Sequence, residues 1–283
     1  MTVLDTVLAD LAAEGDELRA AVAGLDPAGW RTPTPAEGWD VATTIAHLLW
    51  TDEVAVLAAG SVTEEGKRAW DDVVLQAIDD PTGFVDAGAL ALGALPPEEL
   101  LTRWDAGRSA LVEALRAFPD GVKMPWFGPP MSPTSMATAR FMETWAHALD
   151  VYDALIAVSA ISEPPSITDR IRHVAHIGVR TRDFAFANNS LEAPGEEFRV
   201  ELVAPGGSAW TWGPEDAAQR VSGPAYDFCR LVTQRIHRDD TALVAVGEDA
   251  ERWLRIAQAF AGPAGGGRVS RLAGARTSTT EGL

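Results

Sequence analysis

The chain has 283 residues, of which 47% are hydrophobic, and a formal net charge of −18. This composition indicates a globular protein with a real core, and the negative charge argues against nucleic acid as a partner because a polyanion would be repelled. The single cysteine, Cys229, excludes an intramolecular disulfide and a cysteine-based zinc motif. Because the sequence shows neither an apolar stretch of about 18 residues nor a signal peptide, we expect no membrane partner and a cytoplasmic location.

Apolar periodicity over residues 1–160 predicts an all-helical domain. The first helix covers residues 3–25, and Asp40 stands where the N-cap of a second helix belongs, over residues 41–60. Three further helices are predicted over EEGKRAWDDVVLQAI, PPEELLTRWDAGRSALVEALRAF and TSMATARFMETWAHALDVYDALIAV. Residues 81–95 show no clear periodicity of apolar residues. We therefore predict a mainly α protein with four principal helices in an up-down bundle and one short accessory helix.

The composition changes at ISEPPS, and residues 161–262 predict a smaller α+β domain. A helix is expected over residues 167–187, followed by a hairpin in which FRVELVA and SAWTW flank a PGG turn. YDFCRLVTQRI and EDAERWLRIAQAF predict helices, and TALVAVG predicts a short buried strand. Cys229 lies inside the first of these helices, where a core residue is favoured over a nucleophile. The tail, residues 263–283, is expected to be flexible.

Two distant stretches carry the residues best suited to chemistry. Glu143 and His147 are four apart on one helix face, and Arg140 and Asp150 extend the same stripe. His47 is also in the middle of a helix, and inward-facing Glu and His side chains are a common way to build a metal site in a bundle. By spacing alone, an exposed Glu–His pair and a hydrogen-bonded core histidine fit this pattern too.

The other three histidines indicate less. His173 and His176 lie three apart on a face rich in arginine, where a polar surface is favoured over a ligand pair. His237 follows a helix end, where a cation interacts favourably with the helix dipole. Asp40 is better interpreted as a helix cap than as a catalyst.

The two stretches together resemble the mycothiol-dependent maleylpyruvate isomerase family, part of the DinB-like group of metal-binding four-helix bundles. PTPAEGWDVATTIAHLLW resembles the family's Thr-Pro…Gly-Trp loop and the helix that presents a histidine, here His47. ARFMETWAHALDVYDAL resembles its Glu-x-x-x-His motif, here Glu143 and His147, followed by Asp150. VSGPAYDFCRLVTQR resembles its Gly-Pro-Ala helix ending in arginine, here Arg235. The segment KMPWFGPPMSPTSMATAR is similar to an actinobacterial metal-binding subgroup.

The resemblance implies a metal held by His47, Glu143 and His147, with zinc favoured and iron or nickel as alternatives. Two histidines and one carboxylate leave a coordination position open, as in catalytic zinc sites. The implied cofactor is a low-molecular-weight thiol, mycothiol in the family, which the metal activates for addition to a small electrophilic substrate. The product would be an isomer or a thiol adduct.

Three other residues have expected roles. Asp150 would lie outside the coordination sphere and orient a ligand or a neighbouring arginine. Arg235 and Arg140 would hold a substrate carboxylate through a bidentate guanidinium.

Other functions remain open at this stage. A thiol-independent hydrolase or biosynthetic tailoring enzyme could use the same open position, and two histidines with one carboxylate also suit non-haem iron. A non-catalytic metal-binding module is the third alternative. Nothing in the sequence indicates the oligomeric state.

Overall fold

A computed structural model describes residues 2–271, and the chain divides into two compact units, Met1–Pro165 and Ser166–Leu283. The division falls in the proline-rich segment ISEPPS. Residues 272–283 of the predicted flexible tail lie outside the described part of the chain.

The first unit is built from helices, which confirms the predicted mainly α class. Four long helices pack pairwise, α1 with α6 and α2 with α5, and together they form the predicted bundle. Two shorter helices, α3 and α4, pack against α2. The helices of this unit are α1 (Val3–Val22), α2 (Val41–Gly60), α3 (Glu64–Asp79), α4 (Phe84–Gly93), α5 (Pro97–Ala117) and α6 (Pro133–Ala157).

Local capping sets where the two central helices begin. Asp40 is the N-cap of α2, and its side chain accepts hydrogen bonds from the Thr43 amide at 2.7 Å and the Thr43 hydroxyl at 2.8 Å. This confirms the prediction that Asp40 is a cap. Ser132 caps α6 through the Ser135 amide, and Pro133 occupies the first turn, where a missing N–H is tolerated.

Helix α4 occupies the segment in which the sequence showed little pattern. Its glycines allow a close approach to α2: a Cβ on Gly93 would lie 3.1 Å from Thr43 Cα, and one on Gly88 would lie 2.5 Å from Trp50 Nε1. Tertiary packing therefore decides the conformation of a segment that its own periodicity leaves undefined.

Helix α2 is the centre of the first unit. Its buried positions include Ile45, Leu48 and Leu49, and it is the only helix among residues 2–271 that is long and apolar enough to cross a membrane. Of its most apolar stretch, 78% is buried inside the protein, as expected for the core helix of a bundle. Beside it, five rings from α2, α3, α4 and the α5–α6 loop form an aromatic cluster: Trp50, Trp70, Phe84, Trp126 and Phe127.

The second unit holds a four-stranded mixed sheet with the order β2-β1-β3-β4. Strands β1 and β2 pair antiparallel and confirm the predicted hairpin, β1 and β3 pair parallel, and β3 and β4 pair antiparallel. The strands are β1 (Arg199–Val203), β2 (Ala209–Trp212), β3 (Arg220–Pro224) and β4 (Val244–Val246). The helices are α7 (Arg172–Arg180), α8 (Arg182–Asn188), α9 (Ala225–Val232) and α10 (Glu248–Ile256).

Three details of the second unit differ from the prediction. TALVAVG forms strand β4, but Val244 and Val246 are exposed, so the predicted burial of this strand was wrong. The single helix expected over residues 167–187 is divided into a 3-10 turn at Asp169–Ile171, α7 and α8. Strand β3 was not predicted, because Gly223 and Pro224 are untypical of a strand. Gly223 has a φ of +142°, and a Cβ there would lie 3.0 Å from the Ala242 carbonyl oxygen, so glycine is needed for this pairing.

Candidate metal centre

The structure brings His47, Glu143 and His147 together in the first unit. Helix α2 supplies His47, and α6 supplies Glu143 and His147 from successive turns. Nε2 of His47 and Nε2 of His147 each lie 3.4 Å from the same oxygen, Glu143 Oε2. One ligand atom from each residue lies within 4.8 Å of the other two. Three donors from two helices therefore converge on one small volume.

The spacing of these donor atoms is long for hydrogen bonds and is compatible with a shared metal ion. Ligand bonds of about 2.0–2.1 Å to a tetrahedral zinc ion place neighbouring donor atoms about 3.4 Å apart. A nitrogen–oxygen hydrogen bond prefers about 2.7–3.2 Å. The observed separation of 3.4 Å on both sides of Glu143 Oε2 therefore suits an ion shared by the three side chains.

Asp150 lies where it can orient His147. Its Oδ2 is 3.4 Å from His147 Nδ1, and the residue is only 1% exposed. With a metal bound at Nε2, a carboxylate beside Nδ1 would favour the tautomer that carries the ring proton there. The orienting role that the sequence suggests for Asp150 stays a prediction.

His47 is held as a neutral imidazole. Burial lowers its pKa from 6.5 to about 4, against the opposing effect of the hydrogen bond to Glu143. Its Nδ1 is buried and has no hydrogen-bond partner within residues 2–271. A neutral ring whose Nε2 faces a carboxylate is in the protonation state that a metal requires.

Glu143 is held as a carboxylate. Burial acts to raise its pKa, but hydrogen bonds from His147 and His47, together with their charge, outweigh that effect and hold the pKa well below 4.5. Its side chain is the most exposed of the three, at 23%, against 8% for His47 and 13% for His147. An incoming molecule therefore reaches the centre most easily from the side of the carboxylate.

Arg140 lies on the same stripe of α6 but is already paired. The residue is 2% exposed, its Nε donates to Asp52 Oδ1 at 2.8 Å, and one terminal nitrogen lies 3.4 Å from the Leu48 carbonyl oxygen. Burial raises the pKa of Asp52, and the Arg140 charge opposes that shift. This buried pair joins α2 to α6 one turn from the candidate ligands.

Two neighbours of the centre have roles that the sequence did not indicate. Asp52 pairs with Arg140, although no sequence signal links residues 88 positions apart. Trp39 is part of the Gly-Trp motif, and its indole lies 5.0 Å from the His47 ring and 5.7 Å from the His147 ring, measured between centroids.

A family profile matches the part of the chain that contains this centre. Residues 11–152 match the profile described as mycothiol maleylpyruvate isomerase N-terminal domain. The chain belongs to the mycothiol maleylpyruvate isomerase family. In the second unit, residues 194–246 match a profile described as wyosine base formation.

The chain is also similar to two curated relatives and to two solved structures. Two proteins described as uncharacterized, from Mycobacterium tuberculosis strains CDC 1551 / Oshkosh and ATCC 25618 / H37Rv, are each 56% identical over 261 residues, which is 92% of this chain and 97% of theirs. A crystal structure of a mycothiol-dependent maleylpyruvate isomerase has a TM-score of 0.52 at 16% identity, and a histidine-to-alanine mutant of that isomerase has 0.53 at 15%. Both cover 87% of this chain and 95% of the solved chain, which shows a shared fold.

Arg235 and the other histidines belong to the second unit. Arg235 follows α9, and its Nη1 donates to the Thr233 carbonyl at 2.6 Å. His176 Nδ1 accepts from Trp212 Nε1 at 3.3 Å, and His237 caps a 3-10 turn by accepting from the Asp239 amide. Cys229 is buried, and burial raises its pKa well above 9, which removes it as a thiolate nucleophile.

Proposed function

We propose that this protein is a metal-dependent enzyme that activates a small thiol for addition to an electrophilic substrate. The observation that carries the proposal is the convergence of two imidazole nitrogens on one carboxylate oxygen, each at 3.4 Å. Membership in the mycothiol maleylpyruvate isomerase family supports mycothiol as the thiol.

His47, Glu143 and His147 would hold a divalent cation, zinc being favoured and iron or nickel being alternatives. A zinc ion bound by three protein ligands supplies an open position and lowers the pKa of a molecule bound there. Burial favours the neutral form of His47, and Asp150 would hold the proton of a metal-bound His147 on Nδ1, which would leave both Nε2 atoms available as ligands.

Arg235 would hold a substrate carboxylate. Its guanidinium offers a planar set of donors that matches a carboxylate, and its position corresponds to the arginine of the family motif. Arg140 is better suited to a positioning role, because its guanidinium is buried against Asp52.

The reaction follows from the chemistry of a thiolate. Addition of a thiolate to an activated carbon–carbon double bond leaves a single bond that can rotate. Elimination then returns the thiol and the isomerised substrate. If the adduct is released before elimination, the same site acts as a thiol S-transferase.

The donor set also supports a second candidate, a thiol-independent metal enzyme. Two histidines and one carboxylate are the ligand set of many non-haem iron oxygenases, and an open zinc position can bind water for hydrolysis. Turnover without added thiol would favour this candidate, and turnover that requires oxygen would favour iron.

The direct test is an assay of the metal-loaded protein with mycothiol and maleylpyruvate, together with a panel of activated alkenes and epoxides. We expect thiol-dependent isomerisation or adduct formation that is lost in Glu143→Gln and His147→Ala. His237→Ala, on the surface of the second unit, is the matched control and should keep full activity. Equal activity in all variants would contradict the proposal, and a folded wild type without activity toward any of these substrates would favour a non-catalytic module.

A further inference from the structure

Trp39 contacts both candidate histidine ligands at once. Its indole is stacked on the His147 ring, with 5.7 Å between centroids and 22° between planes, and is tilted at 50° over the His47 ring at 5.0 Å. The two imidazoles are themselves 4.7 Å apart. The indole therefore packs against both rings that carry the converging Nε2 atoms.

The indole is held in place by the turn that starts α2. The Trp39 carbonyl accepts from the Thr34 amide at 2.9 Å and the Thr34 hydroxyl at 3.4 Å, and the Trp39 amide donates to Ala36 at 3.1 Å. Gly38 takes a φ of +76°, which favours glycine, and Asp40 caps the helix that carries His47. These bonds hold the backbone from which the indole projects toward its imidazole neighbours.

The Trp39 indole interacts differently with oxygen and sulfur ligands of the metal. Its π face is only a weak hydrogen-bond acceptor for water and offers nothing to a carboxylate, which is itself an acceptor, whereas an aromatic ring makes favourable contacts with polarizable sulfur. Such contacts correspond to about 2- to 10-fold in affinity.

We propose that Trp39 is a specificity-determining residue of the metal centre, whose indole favours a sulfur ligand over an oxygen ligand at the open position. This inference rests on the proposed function, because it assumes that the centre holds a metal. It adds the chemical class of the preferred ligand and the residue that selects it.

The test uses the full chain loaded with Co²⁺, whose absorption reports the ligands. 2-Mercaptoethanol is titrated as the sulfur probe through its sulfur-to-cobalt charge-transfer band, and acetate is titrated as the oxygen probe. We expect Trp39→Leu to weaken 2-mercaptoethanol binding about 5- to 10-fold and to leave acetate binding unchanged. The affinity of Trp39→Phe for 2-mercaptoethanol should stay within about 2-fold of the wild-type value. Trp126→Leu is the matched control, because Trp126 stacks at a similar angle, 21°, on Trp70 instead of on an imidazole.

The outcomes separate this inference from the proposed function. Equal affinity of wild type and Trp39→Leu for 2-mercaptoethanol would overturn the role of Trp39 alone. Absence of Co²⁺ binding by the wild type would overturn both proposals.

A second measurement covers the case in which Trp39→Leu does not fold. Co²⁺ quenches the fluorescence of a neighbouring indole. Its addition to the wild type should therefore remove the part of the fluorescence that comes from one of the ten tryptophans. Trp39→Phe should lack that loss, and an identical loss in both proteins would place the quenched indole elsewhere and contradict the inference.

Discussion

The two units use histidine in different ways. In the first unit, His47 and His147 come from two helices and face one carboxylate oxygen. In the second unit, His173 and His176 lie one turn apart on α7, as Glu143 and His147 do on α6, but His176 accepts a hydrogen bond from Trp212. The comparison shows that convergence from separate elements, rather than spacing along one helix, distinguishes a candidate metal centre.

The two units also differ in how deeply their ion pairs are buried. The Arg140–Asp52 pair of the first unit has side chains only 2% and 4% exposed, whereas the Arg252–Glu248 pair of the second unit has side chains 46% and 85% exposed. Removing one member of a buried ion pair strongly lowers the stability of the fold, whereas an exposed ion pair contributes little to stability.

The largest expected effect comes from breaking the buried pair. Arg140→Leu leaves the Asp52 carboxyl group buried without its partner and should lower the free energy of unfolding by about 3–5 kcal/mol. Arg252→Ala should cost less than about 1 kcal/mol. Urea denaturation followed by circular dichroism measures both, and similar losses would contradict the contrast between the two units. The double variant Arg140→Leu/Asp52→Leu should regain part of the lost free energy of unfolding, because no unpaired carboxyl group is then buried.

Acidification should destabilise the metal-free first unit. His47 has a folded-state pKa of about 4 against 6.5 when unfolded, so between these values the unfolded chain binds a proton that the folded chain does not. Stability is therefore present above pH 6.5 and is lost as the pH falls toward 4, by up to about 3 kcal/mol. Glu143, whose pKa is lowered, adds a loss below about pH 4.5.

Unfolding of the metal-free protein at pH 7 and pH 4.5 measures this effect. His47→Gln should lose less stability than the wild type over the same interval. A wild-type protein as stable at pH 4.5 as at pH 7 would show that His47 is not a buried neutral group.

Removing the carboxylate behind His147 should have a moderate effect on metal affinity. Asp150→Asn keeps the shape but removes the charge that fixes the Nδ1–H tautomer, and such changes typically weaken metal binding about 10- to 100-fold. Asp153→Asn, at an exposed position on the same helix, is the control, and its metal affinity should stay within about 2-fold of the wild-type value. Competition with a chromophoric chelator measures both, and an equal effect would remove Asp150 from the centre.

The smallest expected effect is backbone strain at a single glycine. Gly38 in the first unit and Gly207 in the second have φ values of +76° and +84°, and a Cβ at either position would meet no atom within 4 Å. Alanine at either position should therefore cost about 1 kcal/mol of stability. Only Gly38→Ala should also weaken 2-mercaptoethanol binding by the Co²⁺-loaded protein, because its turn precedes Trp39; equal affinity of both variants for 2-mercaptoethanol would contradict this.

Much of the fold could be predicted because its signals are local. The Asp40 cap, the periodicity of α2 and α6 and the β1–β2 hairpin each depend on a few consecutive residues, and the structure has all of them. Helix α4 and strand β3 were missed because they depend on contacts with distant residues. Gly93 makes room for α2, and β3 pairs with both β1 and β4.

The candidate site was accessible from sequence only in part. The interval of four residues places Glu143 and His147 on one face, but no local signal joins them to His47, which the family resemblance supplied. The Asp52 partner of Arg140 and the contact of Trp39 with both imidazoles are long-range features that only the packed bundle reveals.

Metal content is the most direct test of the account. Wild-type protein and two variants, His47→Ala and His176→Ala, are purified identically, checked for folding by circular dichroism and analysed for bound elements. The account predicts about one equivalent of a divalent metal in the wild type and in His176→Ala, and almost none in His47→Ala. A folded His47→Ala protein that retains the metal would show that the three side chains do not bind it together.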